Sequence, residues 1–196
     1  MSINYGFFKK DGVTSDTPKK INLGAGTIYK NLKFETNAWT GSILGATSGG
    51  NKYSITSNIR DLSEDIDGIH VKTKGLLVKQ GDIASMEINL MELTKDIVKS
   101  AILGKDGEKI EGFDIIETKE QITDEDYLDN IAFVGFTTEN KPIIIIMDNA
   151  ICTSGLDTDN KDKDPTILTL TFECCATLDA NNHDVLPVKI YMPTEE

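Results

Sequence analysis

The chain offers two histidines and three cysteines to any nucleophilic or metal-assisted chemistry. A catalytic cysteine or serine needs a positioned base, and His70 sits at an expected strand edge while His183 lies in a polar turn. Both contexts are typical of ordinary surface or strand histidines. Cys152, Cys174 and Cys175 lack the paired spacing of a zinc site. They are typical of cysteines that pack as small apolar side chains.

Two glycine-rich stretches approach known phosphate-binding motifs without completing them. In residues 45–52, Asn51 separates Gly50 from Lys52, so the Gly-Lys-Ser/Thr ending of a phosphate loop is missing. Gly24 and Gly26 lack the third glycine of a dinucleotide-binding fingerprint. The first stretch therefore predicts a loop between strands, and the second predicts a turn or a close approach of the backbone.

Carboxylates cluster in the loop from Asp157 to Asp164, and hard cations prefer such oxygen ligands. This loop has no glycine at its sixth position and contains two lysines. It therefore predicts a solvated acidic loop, with calcium binding as the alternative. Among the 32 acidic residues of the chain, the sequence singles out no pair for acid–base catalysis. We therefore predict no catalytic, cofactor-binding or metal-ligating residue, and a protein that is not an enzyme.

The elements that would position any site are mainly strands. Residues 53–59 alternate apolar and polar side chains and predict a half-buried strand. Residues 74–79 and 83–92 flank Gln80-Gly81-Asp82 and predict a hairpin with one buried face. A helix is predicted over residues 95–103, capped by Thr94 and closed by Gly104. It is too short to stand alone, so it must dock on a sheet.

Together with the remaining elements, these patterns predict a mainly β (α+β) fold. We predict a single domain over residues 1–196. Residues 1–20 predict an irregular, mildly basic arm, and residues 155–165 predict a hydrophilic, mobile loop. A short helical turn is predicted at residues 123–128. The remaining predicted strands cover residues 113–117, 131–137, 142–147, 166–175 and 185–192.

Composition and charge exclude several classes of protein. The chain has 196 residues, a hydrophobic fraction of 39% and a net charge of −12, which disfavours tight nucleic-acid binding. Residues 111–164 hold 14 acidic and four basic residues. No run approaches the about 18 apolar residues of a membrane helix, so no membrane insertion is predicted. The odd cysteine count and the absence of a secretory signal pattern predict a reducing cytoplasm.

One ordered set of motifs is more specific. It begins with residues 21–31 (INLGAGTIYKN) and residues 44–50 (LGATSGG). It continues with residues 59–61 (IRD), 67–68 (DG), 71–75 (VKTKG) and 86–94 (MEINLMELT), the last running into the predicted helix. This order resembles the major tail tube proteins of long-tailed bacteriophages that infect Gram-positive bacteria. The likeness covers residues 21–103, a little over half of the chain.

The resemblance implies a β-sandwich or partly rolled barrel with one flanking short helix. It implies that six copies close a ring and that rings stack into a hollow tube. The implied partners are further copies of the chain, the tape-measure protein and DNA in the lumen, and the tail terminator and distal tail proteins. The implied location is the virion tail, assembled in the bacterial host cytoplasm. Residues 1–20 and 155–165 are then candidates for contacts between rings.

Two alternatives remain open on the sequence. The first is the tube protein of a contractile tail, a tail-like bacteriocin or a secretion needle, because these share the architecture and differ in their partners. The second is a carbohydrate- or calcium-binding β-sandwich module that uses the loop from Asp157 to Asp164.

Overall fold

A computed structural model describes residues 11–179 and 184–194. Two helices lie in these ranges, α1 (Thr17–Lys20) and α2 (Lys95–Ala101). Neither is long and apolar enough to cross a membrane. The strands are β1 (Asn22–Glu35), β2 (Ala38–Ile43), β3 (Thr47–Asp61), β4 (Leu77–Leu90), β5 (Lys105–Asp106), β6 (Ile116–Glu117), β7 (Leu128–Thr137), β8 (Pro142–Cys152), β9 (Leu168–Cys174) and β10 (Val188–Tyr191).

Eight of the strands form one antiparallel sheet in the order β2-β1-β7-β8-β9-β4-β3, with β10 added beside β8. The first part of β8 pairs with β10, from Ile144 to Met147. Its last three residues pair with β9 instead. The end strand β3 also contacts β1. The side-chain amide of Asn51 on β3 donates to the carbonyl of Ala25 on β1 at 3.1 Å. The predicted fold class is confirmed: the protein is mainly β and fits a β-sandwich with a short helix.

Alternating apolar side chains of five strands fill the main core, and α2 covers it with Ile97 and Ala101. On β9, Leu168, Leu170 and Phe172 point inward while their neighbours are more exposed. This period of two is what a strand with one buried face requires. The other main contributors are Ile28, Met86, Ile88, Leu90, Ile131, Phe133, Ile145 and Met147.

The isoleucine run of β8 is buried on both faces of the sheet. Ile145 and Met147 enter the main core. Ile144 and Ile146 point the other way and join Leu32 and Ala132 in a second apolar cluster. A continuous apolar run is typical of such a central, doubly covered strand. The predicted strand at residues 142–147 is confirmed and extends to Cys152.

The predicted hairpin turn at Gln80-Gly81-Asp82 is wrong. Residues 77–90 form the single strand β4, which pairs with β3 along its whole length. Gln80 is the extra residue of a β-bulge, because the register passes from Asn58 opposite Gly81 to Ile59 opposite Lys79. A glycine inside a strand accommodates such a bulge as readily as it accommodates a turn. The chain reverses instead through residues 62–76, which include a 3-10 turn at Leu62–Asp65.

The predicted burial of residues 53–59 is also wrong. The strand exists and is longer than predicted, since β3 runs from Thr47 to Asp61. Its apolar side chains Tyr53, Ile55 and Ile59 are nevertheless 41%, 41% and 58% exposed. The alternation correctly indicated a strand. The marked face packs against Phe133 at Tyr53, and Ile55 and Ile59 remain partly exposed beyond that contact.

Smaller elements follow the predictions with changed bounds. The Thr94 hydroxyl caps α2 by accepting from the Ile97 amide at 3.3 Å, and Gly104 closes it through the Lys99 carbonyl. The predicted turn at residues 123–128 is a 3-10 turn at Asp124–Asp126. The predicted strand at residues 113–117 shortens to β6.

The predicted arm and loop have mixed outcomes. Residues 1–10 of the arm lie outside the described residues. The irregularity predicted for residues 11–20 is interrupted by α1, a single turn with no buried side chain. Residues 155–165 are mostly exposed and touch the sheet at a bridge from Thr158 to Leu168. The mobility of this loop stays a prediction.

Asn130 ties the β1–β2 hairpin to the sheet. Its side chain is buried; its oxygen accepts from the Leu32 amide at 2.8 Å, and its nitrogen donates to the Leu32 carbonyl at 3.1 Å. Replacing Asn130 by alanine leaves both groups of Leu32 without partners, which we expect to cost about 2–4 kcal/mol of unfolding free energy. Urea denaturation measures this loss. The exposed Asn58→Ala is the control, with an expected change within about 0.5 kcal/mol; equal effects of the two substitutions would contradict the prediction.

Two lysines of α2 tie the small β5–β6 sheet to the helix through ion pairs with Asp106. Lys95 and Lys99 approach its two carboxylate oxygens at 2.8 and 2.9 Å. Hydrogen bonds from these lysines lower the pKa of Asp106 to about 2. Because the folded pKa lies below the unfolded value, the stabilisation is complete above about pH 4 and is lost as the pH falls toward about 2.

The prediction is a stability gap that depends on pH. Urea midpoints of the wild type and of Asp106→Asn should differ at neutral pH and converge at about pH 2. Asp114→Asn serves as the comparison, because Asp114 makes only longer contacts of 3.5 and 3.9 Å. A gap for Asp106→Asn that is equally large at both pH values would contradict this account.

Candidate assembly surface

A two-stranded ribbon extends beyond the core. It consists of residues 55–61 of β3 and residues 77–84 of β4, paired from Ile55 opposite Ala84 to Asp61 opposite Leu77. The neighbouring strand β9 pairs with β4 only from Ser85 onward. In the described residues, no third strand continues the sheet alongside the ribbon. At the end of the ribbon nearest the core, Tyr53 packs against the buried Phe133, with their ring centroids 5.3 Å apart.

Apolar side chains are exposed on both faces of the ribbon. The register places Ile55, Ile59 and Leu77 on one face, with exposed fractions of 41%, 58% and 44%. Val78 and Ile83 lie on the other face and are 44% and 62% exposed. An isolated two-stranded ribbon is only marginally stable in water. Clustered exposed apolar side chains of this kind mark interaction sites.

Polar contacts keep the ribbon in one shape. Asp82 accepts a hydrogen bond of 2.6 Å from the Ser57 hydroxyl and pairs with Lys79 at 2.5 Å. The hydrogen bond from Lys79 is the larger of the causes that lower the pKa of Asp82. The pair lies beside the bulge, so it stabilises the shifted register. Near the end of the ribbon, Arg60 pairs with Asp65 at 2.7 Å.

The loop at the end of the ribbon, residues 62–76, is also tied internally. The buried Ser63 donates its amide to Asp61 at 2.9 Å, and its hydroxyl accepts from the Thr73 amide at 3.1 Å. The Leu62 amide donates to the Leu76 carbonyl at 2.9 Å. The ribbon is therefore a preorganised surface, and a partner that binds it has little backbone entropy to remove.

The sheet presents two different end strands to any neighbour. β2 ends the sheet on one side and is exposed along its whole length, and β3 ends it on the other. Unpaired edge strands offer backbone donors and acceptors to a further strand. A chain with two unlike ends can associate head to tail with copies of itself.

The histidines and cysteines do not gather into a nucleophilic site in the described residues. His70 lies in the ribbon loop, and His183 falls outside the described residues. Cys152 and Cys174 are buried and unbridged. Burial raises the pKa of the Cys174 thiol to about 12 and also raises that of Cys175. Those two thiols stay protonated at neutral pH, which agrees with the predicted packing role.

The other sequence motifs also have a place in the sheet. Gly26, at a φ of 68°, faces the Phe133 ring so closely that any Cβ would clash, which confirms the predicted close approach. The loop predicted at residues 45–52 is wrong beyond residue 46, because β3 begins at Thr47. Gly49 and Gly50 lie within β3 at an irregularity of its pairing with β4. The loop from Asp157 to Asp164 is largely exposed. Within residues 11–179 and 184–194, no three His, Cys, Asp or Glu side chains are arranged to hold a metal ion.

No protein-family model matches the chain, and the comparison with curated proteins finds no match either.

The sequence did not predict an exposed ribbon, because the glycine within its second strand predicts a hairpin turn at that position. One signal could have found it. Apolar residues recur on both sides of Gly81, at Leu77 and Val78 before it and at Ile83 after it. Sustained strand character across a single glycine is consistent with a bulge.

Proposed function

We propose that this chain is a structural subunit of a bacteriophage tail tube. Six copies close a ring, and rings stack into a hollow tube for DNA passage. The observation that supports the proposal most directly is the ribbon, which exposes Ile55, Ile59 and Ile83 on a rigid projection outside the core. Covering such a projection with another molecule removes its apolar side chains from water, and in an assembly of identical subunits the neighbouring copy supplies that cover.

The position of the resembling motifs gives independent support. Residues 21–31 lie at the start of β1, beside β3, and residues 59–61 form the end of the ribbon. Residues 86–94 form the buried half of β4 and lead into α2. The stretches that resemble tail tube proteins thus include the last residues of β3 in the ribbon and the buried half of β4 that anchors its second strand.

Electron microscopy of the purified protein tests the proposal. Negatively stained samples at increasing protein concentration should contain hollow tubes or six-fold rings, and light scattering should report masses that are multiples of the 21.5 kDa chain. A chain that stays monomeric at the highest soluble concentration, across low and high salt, would contradict the proposal.

A further inference from the structure

An aromatic cluster lies on the surface at the opposite end of the sheet from the ribbon. Phe34, Trp39 and Tyr191 are 54%, 39% and 41% exposed. The ring centroids of Phe34 and Trp39 are 5.0 Å apart, and those of Trp39 and Tyr191 are 5.3 Å apart in an edge-to-face arrangement. Trp39 is the sole tryptophan of the sequence.

A tight turn and a long-range contact hold these rings in place. Phe34 and Trp39 face each other across the β1–β2 hairpin, whose two turn residues, Thr36 and Asn37, have φ values of 50° and 61°. A pair of left-handed residues is typical of a two-residue hairpin turn. Tyr191 comes from β10 at the other end of the chain. The rings are thus fixed by packing while part of each remains open to solvent.

Beside the rings lies a groove of about 430 Å³, within the range of small-molecule sites. Leu32 and Ile146 contribute apolar surface to its lining. Two ion pairs also line it: Lys33 with Asp129 at 3.2 Å, and Lys189 with Asp148 at 3.0 Å. These pairs place hydrogen-bond donors and acceptors beside an apolar and aromatic surface.

The balance of charges around the groove disfavours an anionic ligand. Two ammonium groups face three carboxylates, the third being that of Glu35. An anionic ligand would therefore meet no excess of positive charge. A pyranose ring suits the lining, because its C–H face is apolar, its edge carries hydroxyls, and the ring has no charge. Amphipathic aromatic side chains provide the complementary surface.

We propose that this groove binds a neutral saccharide, with one sugar ring packed against Trp39 and its hydroxyls bonded to Asp129 and Asp148. A second depression of about 320 Å³ adjoins the same two rings, Trp39 and Tyr191, and extends past Pro142. A bound oligosaccharide can continue into it. The site lies on different strands from the ribbon and is present in the single chain.

The fluorescence of Trp39 reports on this site directly. A panel of neutral oligosaccharides of glucose, mannose, galactose and N-acetylglucosamine is titrated against the full chain, and calorimetry checks each response. We expect at least one saccharide to change the emission in a saturable way. The acyclic polyol sorbitol should not compete, because it has the hydroxyls without the ring.

Variants separate recognition from folding. Asp148→Asn should weaken binding by about tenfold, as expected for loss of a charged hydrogen-bond acceptor. Trp39→Ala should abolish binding in calorimetry. Trp39→Phe, which preserves packing, should retain part of it. Phe113→Ala, at an exposed ring remote in sequence from the groove residues, should bind as the wild type does.

Three outcomes would overturn the inference. The first is no saturable response to any of the saccharides at millimolar concentration. The second is binding that survives Trp39→Ala unchanged. The third is Trp39 emission that depends on protein concentration and not on saccharide, because the groove would then be covered by a second copy. Tube formation by Asp148→Asn is scored separately by microscopy, so failure of this inference is distinguishable from failure of the tube proposal.

Discussion

Replacing Ile55 and Ile59 together by aspartate is expected to abolish tubes and rings. Both side chains lie on the same face of the ribbon and are exposed in the single chain. In an assembly that covers this face, two carboxylates would be removed from water without partners, which costs several kcal/mol at each interface. Negative-stain microscopy and light scattering of wild type and variant at equal concentration measure the loss.

A matched variant shows whether position or charge is responsible. Ile110→Asp combined with Ile122→Asp adds the same two charges at isoleucines that are 60% and 56% exposed and lie off the ribbon. This control should still assemble. Thermal melts of the dilute ribbon variant should fall only modestly below the wild type, because Ile55 and Ile59 are already 41% and 58% exposed in the single chain. If the ribbon variant formed tubes of normal length, the ribbon would not be part of the interface. The tube proposal itself would still stand if the wild type forms tubes.

Replacing Phe172 by alanine is expected to cost about 3–5 kcal/mol of unfolding free energy. The ring is 1% exposed and lies in the main core. It is paired in register with Met86 on one side and with Cys152 on the other. Its removal leaves a cavity where three strands and α2 meet, and the sheet hydrogen bonds prevent these strands from closing it. Urea denaturation followed by circular dichroism gives the change in midpoint.

Phe113→Ala is the control for this change, because it makes the same substitution at a ring that is 72% exposed. We expect its unfolding free energy to change by less than about 0.5 kcal/mol. If Phe172→Ala cost no more than Phe113→Ala, the assignment of Phe172 to the core would be wrong. The saccharide titration provides a second check that Phe113→Ala leaves the surface groove intact.

The elements predicted well are those whose signals are local. The cap by Thr94 and the closure at Gly104 depend on neighbouring residues, so α2 appears close to its predicted bounds. The alternation along β9 and the apolar run of β8 report directly on how many faces of each strand are covered. These patterns predicted a mainly β protein, and that prediction is confirmed.

The errors arose where a residue has two structural uses. Gly81 can close a hairpin or relieve a bulge, and the choice depends on which strand lies opposite. Ile55 and Ile59 have the spacing of a buried face, yet their side chains are 41% and 58% exposed in the folded chain. In each case the deciding neighbour is remote in sequence, so no local window contains it.

Composition and local patterns were enough to predict a β-rich chain, the place of the helix and the motifs that resemble tail tube proteins. Which apolar residues stay in solvent, and which rings meet at the surface, became visible in the folded chain alone. Trp39 and Tyr191 illustrate the reason, because 151 residues separate them and a contact of 5.3 Å joins them. Local patterns report the periodicity of a strand, whereas burial depends on what packs over each of its faces, and that covering comes from distant parts of the chain.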